Sequence, residues 1–234
     1  ASPSARYARS NVYAPKPATT LLLNREVPVE DLGMLYAFAA PEASVKNQAL
    51  SQILARHLRV RAFETLRTEE QLGYAAGGGA LDLYKHPMVI LYIQTPVKGP
   101  QEMLDRFTAY TEEYRDELAA LPEASFEKFK AGVLTALTEP PKNLSAEAGP
   151  FVSDWAIEHY DFDTRAKLIA AVNAATLQDV QRFYEETVFS DASSRIVIQL
   201  RGKRYSERPF ATVEGGVMID DIDKFHNEMP VQAR

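Results

Sequence analysis

A chain of 234 residues with 46% apolar and 25% charged side chains can build a sizeable core, in one large domain or two small ones. Its formal net charge of −6 argues against non-specific nucleic-acid binding, which needs a basic surface to neutralise phosphates. The absence of cysteine excludes disulfides, thiol catalysis and thiolate metal sites, and no apolar run approaches the ~20 residues that span a bilayer, so neither nucleic acid nor membrane is expected as a partner.

Residues 1–17, with Pro3, Pro15 and Pro17, read as an extended leader or linker. They carry no initiating methionine and no signal-peptide core, as expected of a mature chain or, the preferred reading, a fragment. Strands are predicted over Thr19–Arg25 and Leu32–Ala39, with the turn at Val27–Asp31. A long helix follows from about Pro41 to Thr68, its apolar residues near a 3.6-residue period, and Gly73 breaks the chain behind it. Two more strands, Tyr74–Leu83 and Met88–Gln94, are joined through Tyr84–Pro87. Helices then run from Pro100 to Leu121, Pro122 to Thr138, Ser145 to Tyr160 and Asp163 to Asn173. A last one opens on a Thr176/Asp179 capping-box variant and ends near Val188. Arg195–Arg201 closes the pattern as a strand, and regular signals afterwards are confined to Val213–Met218. Strands and helices do not alternate one for one. The expectation is therefore an α+β fold, a mostly antiparallel sheet with helices on one face. One domain is expected over 18–205, with a tail over 206–234.

Chemistry-bearing constellations are scarce. The four histidines, His57, His86, His159 and His226, lie too far apart for a helical zinc pair, and Glu158 beside His159 has the wrong spacing. No metal site and no catalytic residue is expected on this chain. No nucleophile elbow and no phosphate loop is present. Acidic pairs such as Glu69-Glu70 and Glu112-Glu113 read as solvated faces.

The most informative stretch is Leu66-Arg67-Thr68-Glu69-Glu70-Gln71-Leu72-Gly73-Tyr74, the end of a helix turning into a strand. It puts a guanidinium at a helix C-terminus, where the dipole favours a cation, and a phenol at the start of the strand. Arg67 and Tyr74 could together hydrogen-bond a peptide carbonyl or an oxyanion. Alternatively, Arg67 pairs with Glu64 or Glu70 and Tyr74 is merely half-buried.

This segment resembles the Leu-Arg-Thr-x-Glu-Gln-Leu-Gly-Tyr motif in the last of the four homologous domains of the pitrilysin/insulysin zinc peptidases. Pro140-Pro141-Lys142-Asn143-Leu144-Ser145-Ala146-Glu147, Trp155, Tyr160-Asp161-Phe162-Asp163 and Phe183-Tyr184 resemble further family motifs, in order, so the likeness covers about Thr19 to Arg201. The resemblance implies the LuxS/mitochondrial processing peptidase-like fold, in agreement with the element order. It also implies a non-catalytic C-terminal domain that encloses and positions peptide substrate for a metalloendopeptidase. In that reading the zinc lies on an absent N-terminal half, Arg67 and Tyr74 contact the substrate and its transition state, and this chain alone is inactive. The alternative is a separately encoded inactive subunit or a structural family member that pairs with a catalytic partner. The cytoplasm and the periplasm both fit, with the periplasm favoured. Ala75-Ala76-Gly77-Gly78-Gly79 departs from the bulky residues of the family, and these small residues are expected to leave the strand open to an added peptide strand.

Overall fold

The computed structural model describes residues 17–83 and 86–228. The leader up to residue 16, residues 84 and 85 of the expected Tyr84–Pro87 connection, the tail beyond 228 and the side chain of His226 lie outside the described residues.

Strands β1 (Thr20–Glu26) and β2 (Leu32–Ala39) precede helix α1 (Val45–Ala62). The Ser44 hydroxyl accepts from the Asn47 amide and starts that helix later than the Pro41 expected from its first-turn residues. Beyond Ala62 the coil widens into a π-turn, Phe63–Glu69, before β3 (Ala75–Leu83) and β4 (His86–Thr95). Five helices follow: α2 (Pro100–Ala119), α3 (Glu123–Thr138), α4 (Leu144–Ala156), α5 (Thr164–Ala174) and α6 (Leu177–Val188). Strand β5 (Ser194–Arg201) and a short return, β6 (Val217–Met218) and α7 (Ile222–Glu228), complete the described chain. The Thr176/Asp179 box forms as expected: each side chain accepts from the other residue's amide.

The six strands lie in the order β3-β4-β2-β5-β1-β6. Pairs β3–β4, β4–β2 and β2–β5 are antiparallel, whereas β1 runs parallel to both β5 and β6, so the sheet is mostly antiparallel. Alternation assigns its two faces. Met34, Tyr36 and Phe38 of β2, opposite Ile93, Leu91 and Val89 of β4, are buried under the helices and form the core with Leu50, Ile53, Leu54 and Leu58 of α1. On the other face Leu35 and Ile90 are half-buried and Tyr92 and Leu200 exposed. The helices that touch the strands, α1, α2 and α6, pack on the first face.

Candidate substrate-contact site

The segment singled out in the sequence wraps one corner of the sheet, and its residues divide into those that hold the turn and those that leave it. Leu66 and Leu72 are buried in the core. The π-turn is closed by the Glu70 amide donating to the Thr65 carbonyl, five residues back, at 3.0 Å. Gln71 sits in the left-handed region at φ 52°, which few residues other than glycine adopt. The Thr95 hydroxyl donates to the Leu72 carbonyl and ties the turn to β4. Gly73 passes so close to β4 that a Cβ there would stand 2.0 Å from the Gln94 carbonyl oxygen, so no other residue fits without moving the strand.

Glu70 faces away from Arg67. Its carboxylate receives both Nε (2.8 Å) and Nη2 (2.5 Å) of Arg106 on α2, and Arg106 also reaches Glu113. Glu64 is taken by Arg61 at 2.5 Å. Both acids that could have neutralised Arg67 are therefore engaged elsewhere.

Arg67 and Tyr74 are brought together and turned outward. The Arg67 Nε donates to the Tyr74 carbonyl at 3.0 Å, and its guanidinium lies 4.7 Å from the Phe63 ring centre and 5.3 Å from that of Tyr74. The two rings flank the guanidinium, and the single Nε bond leaves both terminal nitrogens without a partner among the described residues. The Tyr74 side chain is 86% exposed, not half-buried. The pair offers a cation with free donors and a phenol on a rigid corner, which suits a carbonyl or carboxylate of an extended chain.

The small residues of β3 have two explanations. At Gly78 a Cβ would meet Leu58 at 2.8 Å, Leu91 at 3.1 Å and Ala62 at 3.2 Å, so this glycine lets α1 lie close on the sheet. At Gly79 a Cβ would meet nothing within 4 Å. Among the described residues β3 is an edge strand, with no neighbouring strand on one side of its backbone.

Of the histidines, His57 is buried beside the Tyr114 hydroxyl, 3.0 Å from its Nδ1. Burial and the Arg61 cation hold its pKa down at about 4. Glu117 is 3.6 Å from the imidazole and is itself paired with Arg61. His159 is a feature that sequence spacing missed. Its ligand atoms and those of Asp161 and Asp163 all lie within 4.8 Å of one another, in a loop bent by positive φ at Glu158 and Phe162. Asp163 already binds His159 at 2.7 Å and Lys167 at 3.0 Å, so one of the two carboxylates has its partners within the fold. Its alternating His-x-Asp-x-Asp spacing was the available signal.

The family described as PQQ synthase PqqF-like, C-terminal lobe domain 4, matches residues 53–152, a span that includes the π-turn. Protease 3 of Escherichia coli K12 is 24% identical over 187 residues, covering 80% of this chain and 19% of that protein. Human insulin-degrading enzyme is 29% identical over 152 residues, covering 65% of this chain and 15% of its own length. The crystal structure of pitrilysin superposes with a TM-score of 0.88 at 21% identity, over 98% of this chain and 25% of that one. These matches make the chain similar to the C-terminal lobe of PqqF-like proteins and to part of the insulinase-family peptidases. It spans about a fifth of the length of the bacterial relative it matches.

Proposed function

We propose that this chain is a non-catalytic C-terminal domain that helps enclose a peptide substrate and positions it for hydrolysis at a zinc site on the N-terminal half of the same polypeptide. The observation that carries this reading is the Arg67–Tyr74 pair. Every other residue of the turn from Leu66 to Tyr74 that has a clear structural task faces inward or holds the backbone, whereas these two face solvent with hydrogen-bonding capacity to spare. The guanidinium would hold a substrate carbonyl or a developing oxyanion, and the phenol would donate to the same group. Zinc on the other half would polarise the scissile carbonyl and activate water. The edge of β3, unpaired among the described residues, adds a surface on which an extended peptide can align.

In the complete enzyme, Arg67→Ala and Tyr74→Phe are expected to lower kcat/KM by roughly one to three orders of magnitude while leaving the unfolding midpoint unchanged. Wild-type kinetics in both variants would reject the role. The upstream reading frame separates this reading from that of a separately encoded inactive subunit: a His-x-x-Glu-His motif several hundred residues earlier supports the first, a start codon near Ala1 the second.

A further inference from the structure

Helix α4 is amphipathic in the wrong sense for a free surface. Its buried residue is Asp154, only 4% exposed, whose Oδ2 accepts from the Thr164 amide at the N-terminus of α5. Its apolar stripe points the other way: Leu144 is 80% exposed, Trp155 65%, Val152 59% and Phe151 52%. Leu144, Ala148, Phe151 and Trp155 recur at helical spacing on one face. Tyr160 and Phe162, exposed in the following loop, extend it, with the Phe162 ring 6.3 Å from that of Phe151. A cleft of about 630 Å³ between α4 and the end of α3 undercuts the helix, so α4 rests on the body mainly through α5. A contiguous aromatic and aliphatic surface of this kind normally has a cover.

Charge and length point to the occupant. Between Leu144 and Phe162 the chain carries no lysine or arginine, and Glu147 and Asp161 are exposed beside the half-buried Glu158. A second copy docked face to face would set these acidic rims against each other. The matched pitrilysin chain is four times the span covered here, so in such an architecture a tethered domain faces this surface at millimolar effective concentration.

We infer that the outward face of α4, centred on Trp155, docks another domain of the same polypeptide through a surface with an apolar centre and a basic rim. This rests on the reading that the chain is one domain of a longer peptidase. Hydroxyl-radical footprinting of the full-length protein tests it, because labelling reports side-chain exposure directly. Trp155 and Phe151 should be labelled several-fold more slowly than their exposures here imply, with or without peptide and at any protein concentration. Labelling at the rate of free side chains overturns the inference. Protection that appears only with added peptide makes the face a substrate surface, and protection lost on dilution makes it a contact between copies; either overturns it. A reading frame with no coding sequence for another domain overturns both this inference and the reading it rests on. The other outcomes leave the Arg67 and Tyr74 kinetics untouched, so the two ideas fail separately.

Discussion

At the scale of single residues, the most exacting position is Gly73. The Gln94 carbonyl it would strike belongs to the backbone of β4 and cannot rotate away. Gly73→Ala is expected to cost at least about 2 kcal/mol in urea unfolding, because strand and turn must part to admit one methyl group. His57 gives a prediction with a sign. Its pKa is lowered from 6.5 to about 4 by burial first and by Arg61 second. Between those values the unfolded chain binds a proton that the folded chain refuses. The contribution is therefore fully present above pH 6.5 and is lost as pH falls towards 4, by about 3 kcal/mol. Unfolding free energies of wild type and His57→Gln, measured from pH 7 to pH 4, should show the steeper acid loss in wild type. Parallel curves would mean that His57 protonates freely in the fold.

At the scale of elements, β3 and α1 define one another. The three glycines weaken β3 as an isolated strand, yet Gly78 is what allows α1 to approach it. Gly78→Ala should therefore destabilise by about 1–3 kcal/mol through overpacking against Leu58 and Ala62. Gly79→Val should be neutral or slightly stabilising, since its Cβ enters open space and valine favours strands. Thermal melts of the two variants check this, and equal losses would refute the packing account. Gly79→Val is accordingly the better probe of peptide alignment along β3, because a change in KM there cannot be blamed on the core. The π-turn is the other element with a consequence. Widening the coil over Phe63–Glu69 lays the Arg67 guanidinium over the Phe63 ring, so the side chain proposed to meet substrate is already held against an aromatic face.

At the scale of the whole molecule, the prediction concerns metal. Zinc analysis of the full-length protein should find one ion per chain, removed by chelation together with activity, and this chain by itself should bind none tightly. Stoichiometric zinc on this chain would overturn the assignment of roles to its two halves. The place to look would then be His159, Asp161 and Asp163, and His159→Ala would identify it. No helix among the described residues is long and apolar enough to cross a membrane.

Much of this was legible in the residues themselves. Local signals are strong where one turn or one period decides the outcome: the Thr176/Asp179 box, the prolines that open α2 and α3, and the strand runs at Leu32–Ala39 and Arg195–Arg201. Motif order likewise pointed to the pairing of Arg67 with Tyr74. What sequence could not decide were facts set by distant parts of the chain. The parallel pairing of β1 with β5 joins residues about 175 positions apart, and no local pattern distinguishes it from an antiparallel neighbour. Arg67 was open to pairing with Glu64 or Glu70 until α2 supplied Arg106 to claim the latter and α1 supplied Arg61 to claim the former. Gly78 read as an opening for peptide until α1 was seen to fill it. The sequence by itself determined which elements form and where the informative turn lies, because backbone geometry and side-chain period act over a few residues. The tertiary structure decided which charges are spent, which glycines are crowded and which faces stay bare, because those depend on what the folded chain brings alongside.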